Sequence, residues 1–338
     1  MSQPQASPGV PRQPGWRLGL LAPAVALVGQ LVPPLLLFLP VPLAVLTDLR
    51  GWRAGVAWSL AAAGAVAVLH GWMGLEAGTR ETLPLLLSGA LLVLLVAGMG
   101  LVGGHAYRRD WHPALCHLAP AVFALGVLAI VWVAAWVAWG VDVVRLAVES
   151  WRSVMEESFL RSLEAGGASA SQLEAWRANL EQMAQGVFLL FPAGLAVTTG
   201  FWSVVAQWLA GRWLLGLGRP LRPVKPFGRW RFPWMLAWGY IAGQLLLVAV
   251  RAQRLTGSEA TLLALGLNLV FFFTHLFFVE GLAVVWFYLE KWGVGKGGRW
   301  LVSILLLTPF LPLVEPVAWL GMLDAWLDFR KLQREGGP

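Results

Sequence analysis

Residues 82–104 read TLPLLLSGALLVLLVAGMGLVGG, a run of apolar and small residues without a charged side chain. An α-helix rises about 1.5 Å per residue, so about 20 such residues cross the hydrocarbon core of a bilayer. The whole chain of 338 residues has the same character, since 58% of it is hydrophobic and only 13% is charged. The sequence therefore predicts an all-α, polytopic helical membrane protein in contact with a lipid bilayer.

Apolar segments separated by turn residues divide the rest of the chain into further crossings. The last apolar stretch, 300–329, contains Pro309, Pro312 and Pro316, which interrupt helical hydrogen bonding, so we divide it into two short crossings. The result is a prediction of about nine to ten membrane segments, near residues 17–32, 38–49, 53–72, 83–106, 113–141, 185–214, 232–252, 260–289, 299–311 and 315–329.

The distribution of charge predicts the orientation. The net charge of +7 suits either a nucleic-acid binder or a membrane protein with positive cytoplasmic loops. When the N-terminus is placed inside, most of the 25 Lys and Arg residues fall on the cytoplasmic side. We therefore expect a multipass plasma-membrane protein with both termini cytoplasmic and without a nucleic-acid partner.

A polar stretch at 142–184 separates two of the apolar segments. Apolar residues recur in it at helical spacing on both sides of the sequence AGGASA, and Ser171 with Glu174 fits a capping box that opens the second helix. We predict an extracytoplasmic helical hairpin, each arm continuing a membrane span. Its arms either pack on each other or bind an extracytoplasmic protein.

The chain is accordingly predicted to have five parts. They are a disordered N-terminal tail (1–16), a membrane core that includes the hairpin (17–215), a basic cytoplasmic loop (216–231), C-terminal membrane helices (232–330) and a cytoplasmic tail (331–338).

Polar residues within apolar helices are candidates for a substrate or ion site, because burying them in hydrocarbon is costly. Glu280 and Glu315 lie deepest in apolar sequence, and Asn268 and His275 are seven residues apart on one helical face. These four residues form the predicted substrate-binding site. The alternative is that the carboxylates pair with polar groups or backbone inside the helix bundle.

The segment LGMLDAWLDFRKL, at 320–332, carries two carboxylates in unfavourable places. Asp324 and Asp328 repel each other at a spacing of four, and they lie toward a helix C-terminus. We predict a structural clasp made by Asp324, Asp328 and Arg330. The expected basic partners from neighbouring loops are Arg50, Arg53, Arg108 and Arg109.

Motifs of soluble enzymes are absent from the sequence. It contains no HExxH, no GxSxG and no second cysteine to pair with Cys116, and GVGKGGR at 293–299 lacks the Ser or Thr of a P-loop. We therefore predict neither an enzyme nor a cofactor or metal site. Any ATP-driven step requires a separate protein.

Four segments resemble the YybS-like family, bacterial multipass membrane proteins with a domain of unknown function. They are PLLLFLPVPLAVLTDLRGWRAGVAWSLAAAGAV (34–66), FGRWRFPWMLAWGY (227–240), VEGLAVVWFYLEK (279–291) and LGMLDAWLDFRKL (320–332). Members of that family tend to end in a Gly-x-x-Asp-x-Trp-x-Asp-Phe-Arg-like signature. The resemblance implies a location in the bacterial inner membrane.

The family is grouped with the S components of energy-coupling-factor transporters, which bind substrate and work with a coupling subunit and ATPases. The resemblance implies an S-component-like core of six helices at 17–215, in which Ala22 and Ala26 match the Ala-x-x-x-Ala surface that docks the coupling subunit. The leading hypothesis is thus a substrate-capture subunit. A non-transporting scaffold or assembly factor that uses the hairpin is the alternative.

Overall fold

The computed structural model describes residues 15–77, 82–252, 259–307 and 313–332. Most of the predicted N-terminal tail, the end of the C-terminal tail, Pro309 and Pro312 lie outside these residues. Within the described ranges every regular element is helical.

Twelve α-helices occur in the described ranges. They are α1 (Gly15–Leu31), α2 (Pro40–Arg50), α3 (Trp52–Ala77), α4 (Thr82–Arg108), α5 (Pro113–Trp139), α6 (Val143–Met155), α7 (Arg161–Ala165), α8 (Ala170–Gly216), α9 (Ala237–Arg251), α10 (Glu259–Lys291), α11 (Lys296–Leu307) and α12 (Val314–Leu327). Short 3₁₀ turns at Pro33–Phe38, Phe227–Arg229 and Trp234–Leu236 and a π-helical turn at Glu156–Leu160 lie between them.

Seven helical segments of the described chain are long and apolar enough to cross a membrane. They are Pro33–Arg50, Trp52–Gly74, Gly89–Arg108, Pro113–Trp139, Ala170–Gly216, Trp234–Arg251 and Glu259–Lys291. The remaining predicted crossings correspond to α1, α11 and α12, which have 17, 12 and 14 residues. The prediction of an all-α polytopic membrane protein is confirmed.

The chain divides into two compact units. The first contains Met1–Val131 and Thr198–Val224, and the second contains Trp132–Val197 and Lys225–Pro338. Helices α5 and α8 are therefore each divided between the two units.

Small residues bring the helices of the first unit into close contact. A Cβ atom on Gly100 would lie 2.6 Å from the Pro40 carbonyl oxygen, and one on Gly104 would lie 2.4 Å from the Ala44 carbonyl oxygen. Helices α2 and α4 therefore pack backbone against backbone, as membrane helices do at small residues. Two clusters of buried apolar side chains surround this contact. One contains residues of α1, α2, α3 and α4, and the other contains residues of α2 and α8.

The hairpin forms, but only its second arm continues into a membrane helix. The second arm is the start of the 47-residue α8. The first arm is separate from α5, because Gly140 adopts a φ of 65° and the Asp142 side chain accepts hydrogen bonds from the first amides of α6. The arms are joined by ion pairs of Arg152 with Glu181 and of Arg177 with Glu156.

The capping box of α8 lies two residues earlier than predicted. The Ser169 amide donates to the Gln172 side chain, and the Gln172 amide donates to the Ser169 hydroxyl. Ser169 is therefore the N-cap, and Ser171 and Glu174 lie inside the helix. Both serines fit the sequence pattern for this motif, and the helix starts at the earlier one.

The second unit is centred on the contact between α10 and α12. A Cβ atom on Gly281 would lie 1.9 Å from the Val317 carbonyl oxygen, and one on Gly321 would lie 2.2 Å from the Phe277 carbonyl oxygen. This glycine pair allows the two backbones to touch. Buried Phe278, Met322 and other apolar side chains fill the space beside it.

Candidate functional site

The predicted substrate residue Asn268 is bonded to backbone groups of α8 and, through Nδ2, to the Ala264 carbonyl of its own helix at 2.8 Å. Its Nδ2 donates to the Leu189 carbonyl at 2.6 Å, and its Oδ1 accepts from the Ala193 amide at 2.9 Å. In a regular helix that carbonyl and that amide would bond to each other. The side chain thus inserts into the helical ladder just after Pro192, where α8 lacks an amide hydrogen.

His275 and Glu315 have separate surroundings. The Nδ1 atom of His275 lies 2.8 Å from the Phe271 carbonyl oxygen of its own helix. Glu315 is exposed and lines a cavity of about 10 Å³ beside Tyr240 and Phe273, which has room for about one water molecule.

The four predicted substrate residues do not converge on one small ligand. Asn268 and Glu280 lie twelve positions apart on α10, a separation of about 18 Å along the helix axis. Asn268 is also already bonded to α8. The interpretation that these carboxyl and amide groups share one site is therefore not supported by their placement.

The predicted docking residues Ala22 and Ala26 face the interior of the first unit. They are 1% and 0% exposed and lie in one apolar cluster with Leu39 and Val66. Side chains buried in this way have no surface to offer a coupling subunit. Their role here is close packing of α1 against the helices of its own unit.

Asp324 and Arg330 form a buried ion pair in the second unit. Arg330 donates from Nε at 3.0 Å and from Nη2 at 2.8 Å to Asp324 Oδ2, and its amide donates to Oδ1 at 3.3 Å. Its Nη1 donates to the Gly228 carbonyl at 2.7 Å. Both side chains are 0% exposed. The guanidinium thereby ties the end of α12 to the loop before α9.

Asp328 pairs with a different arginine from the same loop. Its Oδ1 lies 3.3 Å from Arg231 Nη1, while Arg231 Nη2 donates to the Ala325 carbonyl at 2.9 Å. Asp324 and Asp328 thus each have a cation, but not from the basic residues near 50 and 108 that we expected. The chain turns back at Asp328, whose φ of 49° brings Arg330 onto α12.

Glu280 lies next to the Asp324–Arg330 pair, and of these three charged side chains it has the fewest hydrogen bonds. Its side chain is 0% exposed, and its Oε1 is 3.6 Å from Arg330 Nη2, beyond hydrogen-bond distance. The Phe232 backbone amide lies near the carboxylate. Neither carboxylate oxygen accepts a hydrogen bond of good geometry from a residue that the structure describes.

A second polar cluster, in the first unit, was missed at the sequence level. Thr47 on α2 and Gln207 on α8 are both 0% exposed and flank the consecutive glycines Gly103 and Gly104 of α4. The Gln207 Nε2 donates weakly to the Met99 carbonyl at 3.4 Å. The Thr47 Oγ1 and the Gln207 Oε1 have no hydrogen-bond partner among the described residues.

Further polar groups extend this second cluster. Ser203, one helical turn before Gln207, donates to the carbonyl of His117 on α5, and the buried Nδ1 of His117 has no partner among the described residues. Tyr107 donates to the Gln207 carbonyl at 2.6 Å. We refer to Thr47, His117 and Gln207 as the unsatisfied triad.

A family model described as "Predicted membrane protein (DUF2232)" matches residues 20–325. The chain belongs to this family. It is also 21% identical over 317 residues to "Uncharacterized protein YybS" of Bacillus subtilis (strain 168), with 92% of each chain covered. The predicted relationship to YybS-like proteins is thus confirmed. No solved structure matches the chain significantly.

The region matched by the DUF2232 model includes the unsatisfied triad, Glu280 and Asp324, and it ends before Arg330. The sequence did contain a signal for the triad. The run GMGLVGG at 98–104 has four glycines in seven residues, which is typical of a helix that another backbone approaches closely. Polar residues that face such a row of glycines are buried between helices and do not contact lipid, although hydropathy places them in a membrane span.

Proposed function

We propose that the chain is a membrane subunit that captures a small polar solute in its first unit and relies on a separate ATP-driven partner. The observation that carries this proposal is the unsatisfied triad of Thr47 Oγ1, His117 Nδ1 and Gln207 Oε1. An unpaired polar atom in hydrocarbon costs several kcal/mol, about 2–7, because no water is present to bond it. The Gln207 Oε1 atom can only accept a hydrogen bond, so it requires a donor. A solute with hydroxyl or amine groups would supply the missing hydrogen bonds.

The architecture of the first unit supports this proposal. It combines α1 to α4 with parts of α5 and α8, and so has six helices that carry apolar sequence. One of them, Pro33–Arg50, is interrupted between a 3₁₀ turn and α2. Interrupted membrane helices commonly border the binding sites of transporters. The resemblance to S components points to the same role.

The partner and the membrane are part of the same proposal. The sequence lacks an ATPase motif, so energy would come from a coupling subunit with ATPases. Because Ala22 and Ala26 are buried, we do not assign them to that contact. The resemblance to the YybS-like family favours the bacterial plasma membrane, and the excess of basic residues in alternate loops favours both termini in the cytoplasm.

Native mass spectrometry of the full-length protein, purified gently from its own membranes, tests this function. We expect a retained small molecule that is lost in Thr47→Val and in Gln207→Leu. The matched control is Ser59→Ala, because the buried Ser59 hydroxyl donates to the Gly55 carbonyl of its own helix, and this variant should keep the solute. A solute that survives both triad substitutions would contradict the assignment.

The hairpin provides the alternative, a scaffold that binds an extracytoplasmic protein. Apolar side chains on its arms are exposed, among them Leu146 (56%), Phe159 (45%) and Trp176 (43%). Such side chains on a polar, projecting element suit a protein contact. The scaffold would be favoured over solute capture if the purified protein holds no small molecule but carries a protein partner. Changing these three residues to Ser should then release that partner.

A further inference from the structure

The cluster around Glu280 has an odd number of charges. The nearest carboxylate–guanidinium pair, Asp324 with Arg330, is complete in itself, since Arg330 directs Nε and Nη2 to Asp324 and Nη1 to the Gly228 carbonyl. Arg231, the other cation that faces Glu280, pairs with Asp328. An ionised Glu280 would therefore add one uncompensated negative charge to a site with no exposure to solvent.

Within the described residues, the other elements packed against α10 bring no compensating charge to Glu280, since Arg229 on the turn Phe227–Arg229 is exposed to solvent. In α9 the nearby polar side chain is Tyr240, which accepts a hydrogen bond from Gln244. In α11 Arg299 pairs with Glu290, and on α12 Glu315 lies more than two turns before Asp324. The charged groups of the described chain that face Glu280 are thus Arg330, Asp324 and Arg231.

We propose that Glu280 is a proton-binding site, and that its carboxyl group is protonated while Arg330 is held by Asp324 and Gly228. A buried carboxylate that has the Phe232 amide nearby but receives no hydrogen bond from a side chain that the structure describes costs more than a neutral carboxylic acid, whereas protonation leaves the cluster with balanced charge. A metal cation is the poorer ligand here, because it would need several oxygen ligands beside a guanidinium. This site lies in the second unit and does not depend on the proposed solute site.

Proton binding at Glu280 is linked to the position of Arg330. When the proton leaves, the O–H electron pair stays on the carboxylate, the proton passes to water, and the new negative charge attracts the guanidinium 3.6 Å away. Arg330 would then have to loosen its bonds to Asp324 or to Gly228. By thermodynamic reciprocity, the arrangement that holds Arg330 on Asp324 binds the proton more tightly.

Infrared spectroscopy of the full-length protein in lipid nanodiscs tests this proposal. At neutral pH we expect the carbonyl stretch of a protonated carboxylic acid in the wild type, absent from Glu280→Gln and retained in Glu315→Gln, the matched substitution of an exposed carboxyl group. The melting temperature of the wild type should fall as pH rises, because Glu280 loses its proton freely in the unfolded chain but keeps it in the folded one. In Glu280→Gln that fall should be smaller.

Three results would overturn the proposal. They are a wild-type spectrum at neutral pH without the protonated band, a band that persists in Glu280→Gln, and a Glu280→Gln protein that fails to fold. The last is decisive because glutamine matches the shape and neutrality of the protonated acid, so a folding failure would show that the negative charge is required.

Discussion

At the scale of residues, the fold resolves the unfavourable placement of two carboxylates at a helix C-terminus. Asp324 is neutralised by Arg330, six residues later, and Asp328 by Arg231. The sequence identified Asp324, Asp328 and Arg330 as residues of the clasp, but it indicated neither Arg231 as the partner of Asp328 nor the left-handed turn at Asp328 that brings Arg330 onto Asp324. Asp tolerates that conformation better than most residues, yet nothing in the periodicity of the helix indicates it.

The Asp324–Arg330 pair should contribute strongly to stability. We expect Asp324→Asn to reduce the free energy of unfolding by about 3–5 kcal/mol, because it leaves the buried guanidinium of Arg330 without its paired carboxylate. Thermal unfolding in detergent measures this change. The control is Asp110→Asn, which removes an exposed pair with Arg222 and should cost about 1 kcal/mol or less. Equal melting temperatures for the two variants would contradict a stabilising clasp.

At the scale of elements, hydropathy located the helices well and their interruptions less well. It placed apolar segments over α1 to α5 and α8 to α12, and it separated the first two segments near residues 32–38. It did not indicate the separation of α5 from α6 at Gly140, which depends on a positive φ rather than on composition. Hydropathy reports contact with lipid, whereas a break depends on single backbone angles.

Asn268 should stabilise α8 at its proline. We expect Asn268→Leu to destabilise the protein by about 1–2 kcal/mol, the cost of losing its hydrogen bonds to the Leu189 carbonyl and the Ala193 amide in a membrane. Adding Pro192→Ala should recover part of this loss, because α8 could then form its regular backbone hydrogen bonds at this position. Melting temperatures of the single and double variants measure the coupling. Strictly additive effects would mean that Asn268 does not compensate for Pro192.

The crossing of α10 with α12 should not tolerate a methyl group at its closest point. Gly281→Ala places a Cβ atom against the Val317 carbonyl, so we expect a loss of about 1–3 kcal/mol from forced separation of the helices. Gly64→Ala in α3 is the matched control, since a Cβ atom there meets nothing within 4 Å. Alanine should be neutral or stabilising at Gly64 because it favours the helix. Similar melting temperatures would show that the glycine contact is dispensable.

At the scale of the whole molecule, two units each carry a buried polar cluster. The predicted core at 17–215 and the first unit differ, because the hairpin and the adjoining parts of α5 and α8 group with the later helices. No composition shift marks the boundaries at Val131 and Val197, since both fall inside apolar helices. Which helix contacts which depends on side-chain shape, so the sequence could predict the spans and the family but not this division.

The orientation of the molecule in the membrane is the last prediction. In a Cys116→Ser background we expect a cysteine at Glu174, exposed in the hairpin, to react with an impermeant maleimide in intact cells. A cysteine at Lys296, exposed at the start of α11, should react only after the membrane is permeabilised. The positive residues of that second loop favour the cytoplasm, whereas the hairpin is acidic. Labelling of position 296 alone in intact cells would invert the topology and place the hairpin, with any partner it binds, inside the cell.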